Sequence, residues 1–338
     1  MTGPSLRWQR RNTSDRSDGR GNSTRQEAKI QSVSSGRLRW IDIHNPTLQD
    51  IDYLAENYPF HKLELDDCLS RIQRPKVDYD EEDNYLFLVF HFPVFNKEAR
   101  LTTISQVSIF LGKDYLITLH EGNLKPLTKF FVDCDANEET RQAKMSSSPG
   151  YLLYVILDRL VDYCFPILNK IGSNIDAVEE KVFSEDAREA VRELSMLRRD
   201  VLSFRRMIRP QTEVFEWLEK SDLSLIKEDP EVYFGDLADH NHKMMDTLDE
   251  YKEVIEGLND TNNTLTSFRI NQVMRVLTVI SVILLPLTLI ASIYGMNIDL
   301  PLGHQADSGD SIAFPALIAI MGVIMLGMLA FFRAKRWI

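Results

Sequence analysis

Between Val276 and Ile293 the chain carries 18 consecutive residues without Asp, Glu, Lys or Arg, and a second such run spans Phe314 to Phe332. At 1.5 Å rise per residue the first run reaches roughly 27 Å, close to the thickness of a bilayer's hydrocarbon core. A helix in a soluble core rarely stays apolar on every side for so long. Two membrane-spanning helices are therefore predicted, at 273–294 and 313–333, joined by a loop at 295–312 and followed by a basic end at 334–338. The loop contains Asp299, Asp307 and Asp310 but no Lys or Arg, whereas Arg269 and Arg275 precede the first run and Arg333, Lys335 and Arg336 follow the second. The positive-inside rule then puts the loop outside and both termini in the cytosol. The first residues hold no apolar stretch of signal-peptide type.

Charge divides the rest. Residues 1–37 hold eight basic and three acidic side chains; with −11 on the whole chain, the remainder carries −16. An acidic body attracts cations and argues against nucleic acid as a partner. Residues 1–36 are rich in Arg, Ser, Asn and Gly without apolar periodicity and are expected to be a disordered basic tail. Cys68, Cys134 and Cys164 are odd in number and lack ligand spacing, so reduced thiols are expected.

Residues 37–148 predict a cytosolic α/β domain with a mixed sheet. Leu38–Ile43 alternates as a strand, and Thr47–Tyr58 and Lys62–Leu69 have helical spacing. Tyr85–Phe95 is a β-prone apolar run, and Gly112-Lys113-Asp114 between two more such runs signals a hairpin. Residues 149–272 predict a helical stalk. One amphipathic stretch covers Tyr151–Phe183, interrupted at Pro166; another covers Asp186–Ile208, ended by Pro210; a shorter one covers Thr212–Leu225. Asp229-Pro230 then opens a helix expected to run unbroken from about Glu231 to Ile293. Met244, Leu248, Tyr251, Ile255, Leu258, Asn262 and Leu265 form a heptad seam, the pattern of helices packed side by side.

Two helices cannot enclose a water-filled path, so a pore would need several copies around one axis, an assembly for which the seam argues. Met274, Leu277, Ser281, Leu285, Thr288 and Ser292 share one face of the first membrane run. Hydroxyls and apolar rings on one face suit a pore lining; small residues suit close helix packing equally well. No phosphate-binding loop, Ser-His-Asp order or zinc-protease motif stands out, so no enzyme and no organic cofactor are expected.

Several motifs resemble the CorA-type divalent-cation transporters: Asn271-Gln272-Val273-Met274-Arg275-Val276-Leu277-Thr278, Leu285-Pro286-Leu287-Thr288 and Tyr294-Gly295-Met296-Asn297 at the membrane, Gln73-Arg74-Pro75-Lys76-Val77 and Tyr151-Leu152-Leu153-Tyr154 upstream, and the basic end Arg333-Ala334-Lys335-Arg336-Trp337. The resemblance implies a homopentamer in the bacterial inner membrane, with a funnel-shaped cytosolic part and one axial pore for hydrated Mg²⁺, with Co²⁺ and Ni²⁺ as further ions. It implies that Gly295, Met296 and Asn297 form the outer mouth, with Gly295 turning the backbone near the axis and Asn297 supplying a ring of amides. Neutral amides can hydrogen-bond the reluctant hydration shell of Mg²⁺ without stripping it. Thr288 would meet the ion deeper in, with Ser281, Leu285 and Ser292 beside it. Asn271, Met274 and Leu277 would form the gate, and Arg333, Lys335 and Arg336 a cytosolic basic ring. Where many members carry Met-Pro-Glu-Leu, this chain reads Ile298-Asp299-Leu300-Pro301-Leu302.

The same resemblance implies a regulatory Mg²⁺ site in which Asp67, beside Asp66, meets Asp236 of a neighbouring subunit. The alternative is a zinc transporter of the same superfamily: Asp236 and His240 are four residues apart on one helix face, with His242 close by, and imidazole favours Zn²⁺. A membrane sensor or scaffold that transports nothing is the third reading.

Overall fold

The computed structural model describes residues 29–70, 73–96, 101–183, 187–296 and 313–337. It opens with an antiparallel hairpin of β1 (Lys29–Ser35) and β2 (Leu38–His44). Helices α1 (Leu48–Asn57) and α2 (Lys62–Leu69) follow, then β3 (Lys76–Asp80), β4 (Tyr85–Asn96), β5 (Leu101–Leu111) and β6 (Tyr115–His120). The six strands form one sheet in the order β1-β2-β6-β5-β4-β3, with β2 and β6 parallel and every other pair antiparallel.

Side chains alternate across a strand, so the unbroken apolar run of β4 supplies two cores. Tyr85, Phe87 and Val89 pack with Leu54 of α1 and Leu65 of α2 on one face. Leu86, Leu88 and Phe90 face the other side, toward α3 (Lys125–Ala136), α4 (Glu138–Met145), α5 (Pro149–Phe183), α6 (Ala187–Lys220) and α7 (Pro230–Tyr294). The last element is α8 (Ala313–Ala334). The architecture is therefore the expected one, an α/β domain followed by long helices and two apolar C-terminal helices. The three cysteines are free and buried.

Three expectations need correction. Residues 29–35, assigned to the disordered tail, form β1 at the sheet edge, where backbone pairing with β2 sets the structure despite a polar sequence; residues 1–28 lie outside the described residues. Pro166 and Pro210 do not interrupt or end helices: α5 and α6 run through them, and the shorter helix expected at Thr212–Leu225 is the last part of α6. An interior Pro costs about 3 kcal/mol or more. On either side of Pro210, however, Met207, Ile208, Val214 and Phe215 are buried in the same core, and that burial carries the helix across.

The third correction concerns the heptad seam. Met244, Leu248, Ile255 and Leu258 are buried in the same-chain core with α5 and α6, with Tyr251 and Leu265 packed against it. A Cβ on Gly172 of α5 would collide with the outer end of the Tyr251 ring, so the glycine lets that ring lie against α5. The seam is thus consumed within one chain and gives no sign of assembly. Asn262 is buried in it with its Oδ1 unpaired.

Candidate functional site

Beyond Leu265, α7 leaves its partners and its side chains become exposed. Its apolar window is only 17% buried and that of α8 only 6%, so neither is the core helix of a soluble domain. They touch through Val279 and Ile283 of α7 and Phe332 of α8, with Leu287 and Met328 packed against them. At about 100° per residue, Val279, Ile283 and Leu287 fall within roughly 80° of one another. Met274, Leu277, Ser281, Leu285, Thr288 and Ser292 fall on the opposite side, and all six are exposed. The small and hydroxylated residues therefore do not mediate packing against α8. The Thr288 hydroxyl donates to Leu285 O at 2.9 Å, which leaves its lone pairs available to a hydrated ion.

The end of α7 differs from expectation at one point. Gly295 caps the helix at φ −82°, ψ −6°, an ordinary right-handed conformation that any residue adopts. A special turn does not explain the glycine, although a Cβ there would sit 3.2 Å from Ala291 O. Met296 is exposed, and Asn297 lies outside the described residues. Asn271 is exposed, one turn of α7 before Met274. At the far end of α8, Arg333, Lys335 and Arg336 are exposed. Arg336 has φ 57°, and the Trp337 N–H returns to Phe332 O at 2.9 Å, a left-handed helix cap that sets the indole at a tilt beside the Phe332 ring.

Asp67 and Asp236 occupy opposite layers of the chain. Asp67 is on α2, whose Leu65 and Cys68 enter the core on one face of the sheet; Asp236 is on α7, whose Phe234 and Leu237 enter the other. The two are not brought together within one chain. Tyr85 fixes α2 by donating its hydroxyl to Glu64 at 2.6 Å while accepting the His61 N–H at 2.9 Å. The Gln73-Arg74-Pro75-Lys76 segment then wraps Asp67. Gln73 Nε2 donates to Asp67 Oδ1, and Lys76 Nζ lies 2.9 Å from Oδ2 and 2.6 Å from Asp78. Burial works against the Lys76 ammonium, yet its hydrogen bonds to Asp67 and Asp78 hold its pKa above the ordinary lysine value. Asp66 is exposed.

Around Asp236 the chain gathers acid that sequence reasoning missed. Burial, then repulsion from Asp162 and Asp236, pushes the Asp158 carboxyl above the ordinary aspartate range. Asp158 and Asp162 are four residues apart on α5, just after the Tyr151-Leu152-Leu153-Tyr154 motif, and that spacing was the available signal. Within one chain the side chains named for the zinc alternative do not converge. His240 Nε2 lies 3.9 Å from Asp236 with its ring edge on Phe165, whereas His242 turns to Glu216 of α6 at 3.3 Å.

Known proteins share this sequence and fold. The chain is 32% identical over 313 residues, 92% of it and 87% of the relative, to the cobalt/magnesium transport protein CorA of Thermotoga maritima. The solved CorA magnesium transporter of Methanocaldococcus jannaschii superposes with a TM-score of 0.77 at 23% identity, covering 91% of this chain and 95% of that one. The cytoplasmic domain of ZntB from Vibrio parahaemolyticus gives 0.57 at 16%, covering 68% and 88%, a likeness of fold alone. The model of the CorA-like Mg²⁺ transporter proteins matches residues 35–336. With two unburied C-terminal spans and a relative of this similarity along nearly its whole length, the chain belongs to the CorA-like Mg²⁺ transporter family, a family of membrane transporters and not of enzymes.

Proposed function

We propose that the chain assembles as a homopentamer in the bacterial inner membrane and conducts hydrated Mg²⁺, with Co²⁺ and Ni²⁺ as further ions. Both termini are then cytosolic. The observation that carries this reading is the free face of α7: Met274, Leu277, Ser281, Leu285, Thr288 and Ser292 lie opposite the face covered by α8. In a ring of α7 helices lined by that face, Leu277 and Met274 narrow the path at the cytosolic end, with Asn271 below them. Dewetting of such an apolar ring closes a pore without any charged plug. Thr288 meets the ion with hydroxyl oxygens, and Gly295, Met296 and Asn297 form the outer mouth. Because membrane potential and ion gradient suffice to drive a divalent cation inward, no ATP site is required.

Regulation follows from the two acidic surfaces. A divalent ion held between Asp67 of one subunit and Asp236 of the next, with Asp66 beside them, cancels repulsion that would otherwise push subunits apart. Two carboxylates about 4 Å apart repel by roughly 4 kcal/mol at an effective dielectric of 20. Loss of cytosolic Mg²⁺ then loosens the funnel and frees the gate. The divergence of His240 and His242 argues against zinc as the regulatory ion at this place.

The test is flux in proteoliposomes containing the purified full-length protein, with Mg²⁺, Co²⁺, Ni²⁺ and Zn²⁺ offered singly and in competition. Mg²⁺ uptake that Co²⁺ competes for, and that Thr288→Val cuts by about tenfold (about 1.4 kcal/mol of lost ion stabilisation), is expected. Full Mg²⁺ flux through a Leu285→Asp, Thr288→Val double variant would remove the pore face from the account. Flux of Zn²⁺ with none of Mg²⁺ would favour the zinc reading.

A further inference from the structure

Besides the membrane face and the two acidic surfaces, the sheet carries another kind of site, built from other residues. Parallel strands β2 and β6 pair Asp42 with Thr118 and His44 with His120. Since alternate residues of a strand share a face, the carboxylate and the two imidazoles are delivered to one spot at the C-terminal end of both strands. Asp42 and His120 are buried, and His44 is partly exposed. His44 Nε2 lies 2.6 Å from Asp42 Oδ2 and His120 Nε2 lies 3.1 Å from Oδ1, with all three ligand atoms within 4.8 Å of one another. Among the described residues this is the one group of three His, Cys, Asp or Glu side chains converging in this way.

We propose that Asp42, His44 and His120 bind a transition-metal ion of the Zn²⁺ and Co²⁺ class, at a place separate from the conduction path and from Asp67 and Asp236. Tetrahedral coordination at about 2.1 Å sets neighbouring ligand atoms roughly 3.4 Å apart. From the present 2.6 Å and 3.1 Å, the His44 contact must open by about 0.8 Å and the His120 contact by about 0.3 Å. Two nitrogens and one carboxylate oxygen suit a borderline ion and disfavour Mg²⁺, which demands an all-oxygen octahedron. The partly exposed His44 leaves the fourth position open to water, and His120 borders a cavity of about 200 Å³ that Asn45 and Glu121 also line.

The surrounding contacts say what must change on binding. His120 Nδ1 accepts the Gly122 N–H at 3.0 Å, which puts the ring's proton on Nε2, facing Asp42. To ligate through Nε2, His120 must carry that proton on Nδ1 instead, and the Gly122 N–H must turn away. Gly122 has φ 77°, and a glycine is the residue that crosses from positive to negative φ at no steric cost. Rotation of the Glu121–Gly122 peptide presents the Glu121 carbonyl to the new Nδ1–H, the outer contact that metal-bound imidazoles commonly make. Alanine at 122 penalises the positive φ and so favours the ion-ready loop.

The test uses full-length protein in detergent with excess Mg²⁺ present to occupy oxygen-only sites. Co²⁺ is the probe, followed by its visible absorption, and Zn²⁺ displaces it. Expected are intense tetrahedral-type Co²⁺ bands that saturate at one ion per chain and Zn²⁺ affinity at least tenfold weaker in His44→Gln. Asp236→Ala should leave both unchanged, and Gly122→Ala should bind Zn²⁺ as tightly as the parent or more tightly. His44→Gln changes a partly exposed residue, so its fold is checked by circular dichroism beside Asp42→Asn. Octahedral-type weak bands only, or bands and Zn²⁺ affinity unaltered in both His44→Gln and Asp42→Asn, would overturn the proposal and leave a hydrogen-bonded His-Asp-His cluster. This outcome is independent of flux through the pore.

Discussion

Lys76 stands where a divalent ion on Asp67 would have to stand. Its ammonium is 2.9 Å from Asp67 Oδ2 and about one-third exposed. Unit charges about 3 Å apart attract by roughly 5–6 kcal/mol at an effective dielectric of 20. Side-chain ordering and solvent screening at this exposure reduce the net value to about 1–2 kcal/mol. An ion that takes the carboxylate must forfeit that amount, so removing the ammonium should tighten Mg²⁺ binding by roughly 5- to 30-fold. Lys76→Met is the variant of choice, because the ammonium also lies over the Phe87 ring at 5.1 Å and the methionine chain keeps an apolar stem there. The assay is the Mg²⁺ concentration that half-maximally raises the thermal stability of the full-length protein, paired with the internal Mg²⁺ that half-inhibits uptake. Both should fall together, and Asp67→Asn should abolish the response. Half-saturation that is unchanged or higher in Lys76→Met would refute competition for one carboxylate and make Lys76 a support for the site.

Two further outcomes follow from the sheet edge beside that segment. Strand β3 covers β4 only from Tyr85 to Val89, and at His91 the Gln211 side chain of α6 takes the missing strand's place, donating to His91 O at 2.8 Å and accepting its N–H at 3.2 Å. Gln211→Ala leaves two buried backbone groups unpaired and should cost about 2–4 kcal/mol, read as a lower denaturant midpoint for the α/β domain and the helices packed on it. Burial depresses the pKa of the His91 imidazole below its ordinary 6.5. The unfolded chain therefore binds a proton that the folded one refuses, and stability is full above about pH 6.5 and declines as pH falls through it. In His91→Leu the slope of thermal stability between pH 7 and 5 should flatten; an unaltered slope would assign it to other groups.

What could be read without coordinates was local. The two apolar C-terminal helices, the continuous α7, the β5–β6 hairpin and the mixed sheet all follow from periodicity and turn residues within short windows, and all are present in the fold. The β1 strand was not legible, because Lys29–Ser35 is mostly polar and acquires strand geometry through pairing with β2 and burial of Val33, neither of which shows in a short window. The prolines misled for a related reason: a local cost of about 3 kcal/mol was set against burial contributed by distant segments, and burial won.

The candidate site divides in the same way. The sequence by itself placed Met274, Leu277, Ser281, Leu285, Thr288 and Ser292 on one helix face, since 3.6 residues per turn is a property of the backbone. Only the tertiary structure decided that α8 covers the opposite face, that the heptad seam is spent on α5 and α6, and that His240 and His242 part company. Only the pairing of β2 with β6 brought His120 to Asp42 across 78 residues of chain. Contacts between segments far apart in sequence depend on which surfaces bury each other, a sum over the whole fold that no short stretch of residues contains.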